Sequence, residues 1–192
     1  GFNAPTPVTV VGQDAIQAQG DTNIAEVLNE MPAFRPSQTP ENSFVTITGN
    51  IGARTLDLRG LAPQRTLVLI NGRRFIPSSP QGTVDLNLIP AGLIERVETI
   101  AIGGAPIYGA DAISGTVNVI LRDDFEGAEL TAQVGLTEKG DAPSYTFRGL
   151  VGTNFAGGRG NVALGLEYNR QDGLLKSTRT GRTFMLPDPD GD

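Results

Sequence analysis

Two acidic residues at short spacing are the first feature of this chain that could carry chemistry. Glu95 and Glu98 lie close together at a predicted helix–strand junction, and a carboxylate pair can serve as the acid and base of a glycosidase. No acidic pocket is evident around them. The chain contains no histidine and no cysteine, which removes the commonest general base, thiolate metal sites and disulfides. An enzyme is therefore not expected, and neither is a cofactor.

Two further motifs imitate ion-binding sites. Asp188, Asp190 and Asp192 resemble the opening of a calcium loop, but no closing carboxylate follows them in the chain. A solvated acidic loop is the preferred interpretation, and no metal site is predicted. The glycines of residues 103–109 could suggest a phosphate cradle, yet no GxxxxGK[ST] pattern is present. A tight turn between packed strands explains them better.

The composition indicates a folded protein with many turns. Of 192 residues, 39% are hydrophobic, 25 are glycine and 13 are proline, as expected for many short strands. The net charge of -6 argues against nucleic acid as a partner. No apolar run approaches the roughly 20 residues of a membrane helix, and no signal peptide opens the chain.

Residues 1–126 are predicted to form an α+β domain with a mixed sheet and short helices. The clearest helix begins at Thr22 or Asn23, has Glu26 in a capping-box position and is stopped by Pro32. Its apolar face would consist of Ile24, Val27, Leu28 and Met31. The other predicted elements are strands at 6–11, 44–48, 54–59, 65–70, 73–76, 97–102 and 115–122, helical turns at 14–19, 90–96 and within 103–114, and an Asn71-Gly72 hairpin turn.

Residues 127–170 change character. Three segments of about ten residues alternate between apolar side chains and small or polar ones, as in Leu130, Ala132 and Val134. That length and alternation are typical of transmembrane barrel strands. An ordinary antiparallel meander with one wet face would look the same. Residues 171–192 are polar and read as a long loop.

Seven segments carry a family resemblance. They are TPVTVVGQDAI, LDLRGL, RTLVLINGRRFIP, VDLNLIP, LIERVE, IYGADAISGTVNVIL and FEG, in that order. Together they resemble the plug of TonB-dependent outer-membrane receptors over residues 6–127. The resemblance implies a plug domain at 1–126, the first three strands of the β-barrel at 127–170 and a truncated external loop at 171–192.

This resemblance implies a gate for energised uptake of a scarce nutrient, such as a siderophore, cobalamin or an oligosaccharide. The chain would lie in the outer membrane of a Gram-negative bacterium. Its partners would be the receptor's own barrel and TonB, which would bind through a segment upstream of this chain. A plugged barrel has about 22 strands, and open strand edges are not tolerated in lipid. The chain is therefore expected to be a fragment without transport activity. The alternative is a free-standing plug-like binding module.

The resemblance also implies roles for particular residues. Arg59 and Arg96 would latch the plug to carboxylates on the barrel wall. The alternative is an ion pair inside the domain, with Asp57, Asp85, Glu95 or Glu98 as partner. Many family members carry a charged residue after the LIERVE-type strand, whereas this chain has Ala101 and Ile102, so the plug would be held more by packing and by Arg59.

Ligand contacts in the family come from outward loops, here residues 38–52, 62–65 and 77–82. The predicted ligand-binding residues are Gln64, Arg65, Ser78, Ser79 and Gln81. Solvated turn residues would look the same.

Overall fold

A computed structural model describes residues 7–18, 23–35, 37, 52–101, 105–135 and 143–171. None of the helices within these ranges is long and apolar enough to cross a membrane. The elements are β1 Val8–Gly12, α1 Gln13–Ala18, α2 Ile24–Asn29, β2 Phe34–Arg35, β3 Asp57–Leu58, β4 Thr66–Ile70, β5 Arg73–Arg74, β6 Ile94–Ile100, α3 Ala105–Tyr108, β7 Gly115–Leu121, β8 Gly127–Gly135, β9 Ser144–Phe155 and β10 Gly160–Gln171, with 3-10 turns at Pro63–Arg65, Leu86–Leu88, Ala91–Leu93 and Ala110–Ala112.

The first domain is built on a five-stranded mixed sheet in the order β1-β6-β7-β4-β5. Strand β7 is central, parallel to β4 and antiparallel to β6. Its Val117 and Val119 are fully buried in the main core, together with Leu58 and the apolar side of α2. The predicted α+β class with a mixed sheet is confirmed.

Helix α2 forms as its sequence predicts. The Asn23 side chain caps it by accepting from the Ala25 N–H (2.9 Å), which satisfies one of the free donors of the first turn. Ile24, Val27 and Leu28 are buried and Met31 is half-buried, so the predicted apolar face is confirmed.

The predicted Asn-Gly hairpin between β4 and β5 is also confirmed. Asn71 and Gly72 both have positive φ (48° and 75°), as two-residue hairpin turns require. The Asn71 Oδ1 accepts from Leu121 N (2.9 Å) and the Gly72 N–H donates to Asn118 Oδ1 (2.9 Å). The turn is thus tied to the end of β7.

Two local predictions are wrong. The helix predicted at 90–96 is a 3-10 turn at Ala91–Leu93 followed by strand β6. Strand β6 pairs with both β1 and β7, so its backbone groups form hydrogen bonds that a single helical turn could not provide.

The strand predicted at 54–59 pairs only at Asp57–Leu58. The backbone of Arg54 is engaged elsewhere, because its N–H donates to Asp85 Oδ1 (3.0 Å) and its carbonyl accepts from Leu86 N (2.9 Å). The strand predicted at 44–48 lies outside the described residues.

Strands β8, β9 and β10 form a separate antiparallel sheet in the order β10-β9-β8. Their lengths of 9, 12 and 12 residues agree with the predicted three strands. One face is apolar and exposed, with Leu130 at 86% and Leu166 at 70% exposure. The opposite face carries Arg148, Leu150 and Glu167 and packs towards the first domain. A tight turn at residues 156–159 joins β9 to β10.

Gly115 provides a test of the central sheet. Its φ is +128°, and a Cβ there would lie 2.5 Å from both Ile100 O and Leu58 Cδ2. We expect Gly115→Ala to destabilise the chain by about 1–3 kcal/mol through overpacking and backbone strain. Gly12→Ala is the matched control, because a Cβ at Gly12 meets no atom within 4 Å. Urea denaturation of the purified chain measures both, and equal losses of stability would contradict this account.

Candidate functional site

Two of the predicted ligand loops lie at the same end of the mixed sheet. Gln64 and Arg65 are exposed in the 3-10 turn that precedes β4. The chain after β5 runs back along β4, because Phe75 N donates to Val68 O (3.2 Å). Residues 77–82 are therefore directed towards the start of β4. The fold brings these two loops to one edge, where a solute could meet both.

The two serines of the second loop hold its turn together. Ser78 Oγ donates to Thr83 O (3.1 Å), and Ser79 Oγ shares a hydrogen bond with Thr83 Oγ1 (2.6 Å). Both serines are half-buried, whereas Gln81 is exposed. The side chains presented at this edge are therefore those of Gln64, Arg65 and Gln81.

Arg59 occupies a strained position beside an open groove. Its φ is 62°, which is unusual for a non-glycine residue, and its N–H donates to Ala33 O (2.8 Å). The guanidinium donates from Nη1 to Ala101 O (2.8 Å). The groove beside it is also lined by Arg35, which passes over Gly60. Within the part of the chain that the structure describes, neither Arg59 nor Arg35 forms an ion pair.

Arg96 has its carboxylates inside the domain. Its Nε donates to Glu98 Oε1 (2.9 Å) and its Nη1 to Glu95. The bond to Glu98, followed by the contacts with Glu95, raises the pKa of Arg96. This is the intradomain pair that the sequence left open. The same guanidinium engages both members of the acid pair considered for catalysis.

Arg54 is a structural residue that sequence reasoning missed. It is buried, and it donates from Nη2 to Glu26 Oε1 (2.7 Å) and from Nη1 to Asn87 Oδ1 (2.8 Å). These bonds tie α2 to the 3-10 turn Leu86–Leu88. No local pattern signals this role, because Thr55, Asp57 and Arg59 also interrupt the apolar residues of this stretch.

The contact between the sheet domain and the strands was missed as well. The Ala91 N–H donates to Glu167 Oε2 on β10 (2.9 Å), and Arg148 Nε on β9 lies 3.6 Å from that oxygen. A Cβ on Gly165 would lie 3.0 Å from Leu93 Cγ, so the turn fits closely against β10. Beside it lies a cavity of about 130 Å³ lined by Gln13, Ile16, Pro90, Ala91, Gly92, Glu129, Thr131, Gln133, Arg148, Gly149, Leu150, Gly165, Leu166 and Glu167.

The sequence carries a signal for the ion pair alone, since Arg148 and Glu167 are opposite charges that alternate with apolar residues on neighbouring strands, where the register pairs them. It carries no signal for the bond to Ala91. Among the described residues, no group of three or more acidic residues could hold a metal ion. The acidic stretch at 188–192 lies outside them.

The geometry defines a class of protein: a small mixed-sheet domain packed against the polar face of strands whose other face is apolar and exposed. The family of the TonB-dependent Receptor Plug Domain matches residues 2–116. The chain belongs to this family, which confirms the resemblance seen in the sequence.

Solved structures support the same fold. The ferric citrate transporter FecA in its unliganded form is 26% identical, with a TM-score of 0.68 over 88% of this chain and 26% of that chain. The siderophore receptor PirA from Pseudomonas aeruginosa is 19% identical, with a TM-score of 0.63 over 90% of this chain and 30% of that one. PirA from Acinetobacter baumannii is 22% identical, with a TM-score of 0.62 over 85% and 24%. The chain thus spans less than a third of these proteins.

The hydrogen bonds of Arg54 and of Arg96 are expected to contribute differently to the free energy of unfolding. Arg54→Met removes the buried guanidinium that binds Glu26 and Asn87, and we expect a loss of about 2–4 kcal/mol because removing one member of a buried pair is strongly destabilising. Arg96→Met is the control, since its side chain is 37% exposed and exposed pairs contribute below about 1 kcal/mol. Urea denaturation of both variants measures the difference. A larger loss for Arg96→Met would refute the assignment.

Proposed function

We propose that this chain is the gate, with the first barrel strands, of a receptor that imports a scarce solute across the outer membrane of a Gram-negative bacterium. The observation that carries the proposal is the sheet of β8, β9 and β10, which has one apolar face and one polar face. Its exposed apolar face suits lipid, and its polar face packs against the plug. Open strand edges need further strands in lipid, and the barrel of the same receptor would supply them.

Opening would be a mechanical transition. TonB would bind a segment upstream of this chain and apply force, and the plug would rearrange to open a path. The hydrogen bond and ion pair at the contact between the plug and the strands support this proposal, because water can replace polar contacts more easily than it can enter a dry core. The solved relatives are named as receptors and a transporter, and we propose that the chain catalyses no covalent reaction.

The solute would bind at the edge that carries the two outward loops. Gln64, Arg65 and Gln81 would contact it, and Ser78 and Ser79 would shape the loop around it. A ferric chelate is the first substrate to test, because the solved relatives are named for siderophores, ferric enterobactin and ferric citrate. Cobalamin and oligosaccharides are the competing classes.

Uptake by the complete receptor tests the import function. The full reading frame that contains this chain, expressed in a receptor-deficient strain, should give saturable uptake of one labelled solute among ferric chelates, cobalamin and maltodextrins. Loss of TonB or addition of a protonophore should abolish that uptake, whereas binding at the cell surface should remain. Binding without energised uptake, from a gene that encodes no further strands, would favour the free-standing binding module instead.

The latch can be tested separately. We propose that Arg59, with Arg35 beside it, faces carboxylates of the barrel wall, and that Arg96 contributes less because Glu95 and Glu98 already bind it. Arg59→Ala in the full receptor should loosen the plug and make cells more sensitive to a bulky antibiotic that the closed receptor excludes. Arg73→Ala, at an exposed position of the hairpin, is the control. Equal sensitivity of the two variants would rule out a specific latch at Arg59.

A further inference from the structure

A carboxylate of the strand sheet bonds to the backbone of the plug. Glu167 accepts the Ala91 N–H through Oε2 (2.9 Å), and its side chain is 11% exposed. Arg148 lies opposite in the β9–β10 register with its Nε 3.6 Å from the same oxygen, and it is 15% exposed. The nearly buried guanidinium thus lies beside the carboxylate oxygen that faces the turn.

The Glu167 carboxylate accepts from an N–H group that has no acceptor inside its own turn. Ala91 is the first residue of the 3-10 turn Ala91–Leu93, and the first N–H groups of a helical turn have no acceptor inside it. Two residues further on, Leu93 sits against Gly165, and its carbonyl accepts from Arg122 N (2.9 Å). The turn is therefore held from two sides, by the strand sheet and by the connector that leads into β8.

The surroundings of this bond differ from the core behind it. Ile89 and Ile94, which flank the turn, are buried in the dry core. The cavity of about 130 Å³ on the other side is lined in part by polar side chains such as Thr131 and Gln133, and such a space can admit a few waters. Water can replace a hydrogen bond at a modest free-energy cost. This bond can therefore hold the turn while the plug is closed and break when force is applied to the plug.

We propose that Glu167, oriented by Arg148, is the anchor that holds the turn at residues 91–93 to the barrel wall while the gate is closed. The proposal rests on the proposed gating function and adds a positioning residue to it. Release of the Ala91 N–H would be an early step when the plug moves, because this hydrogen bond joins the turn directly to a side chain of β10.

Hydrogen exchange at the turn tests the anchor in the purified full-length receptor, without TonB or solute. Glu167→Ala should speed exchange in peptides that cover residues 89–94 on the order of tenfold or more, as expected for loss of a charge-assisted bond. Glu167→Gln should have a smaller effect, because its amide oxygen still accepts the N–H. Peptides covering β7 should keep their protection, which separates local release from general unfolding.

Glu129→Gln is the matched control. Glu129 lies on the same face of the strand sheet but pairs with Arg122 (3.2 Å), and this variant should leave residues 89–94 protected. Unchanged protection in Glu167→Ala, or an equal loss in Glu129→Gln, would overturn the anchor. Failure of the import function shows instead as absent energised uptake by the wild-type receptor, whatever the exchange result, so the two proposals fail independently.

Discussion

The pairing of β7 on both of its edges is the constraint on which the rest of the domain depends. Because β4 and β6 satisfy its backbone groups, β7 can lie in the middle of the domain with Val117 and Val119 fully buried. Its start is fixed by a buried polar cluster, in which Thr66 Oγ1 bonds to Ser114 Oγ (3.0 Å) and accepts from Leu58 N (3.0 Å). The loops at both ends of the sheet take their positions from this strand.

The molecule contains two interfaces of different chemistry. Between the mixed sheet and α2 the contact is apolar and dry, with Ile24 and Leu28 fully buried. Between the plug and the strand sheet the contact combines the Glu167–Ala91 hydrogen bond with the seat of Leu93 against Gly165, and it adjoins a cavity. Regions with few buried apolar contacts open at lower free energy than the core. The gate that we propose would use this order, because the plug could separate from the strands at a lower free-energy cost than unfolding.

Local patterns in the sequence predicted the elements that depend on local physics. Period-two alternation located β8, β9 and β10, and the Asn71-Gly72 pair located the hairpin, because each signal acts over a few residues. The stretch at 90–96 was misassigned because Pro90 suits a helix start, while the pairing that makes Ile94–Ile100 a strand comes from β1 and β7. Long-range polar contacts were beyond reach: Arg54 meets Glu26 across 28 positions, and Glu167 meets Ala91 across 76.

The seat of Leu93 against Gly165 has an evolutionary consequence. A Cβ at position 165 would lie 3.0 Å from Leu93 Cγ, so Leu93 would have to shift to admit a side chain there. Related receptors that place alanine or a larger residue in this part of the wall should carry a smaller residue in the turn. Glycine on the wall and leucine in the turn should therefore be inherited as a pair, even though they belong to different structural units of the same polypeptide.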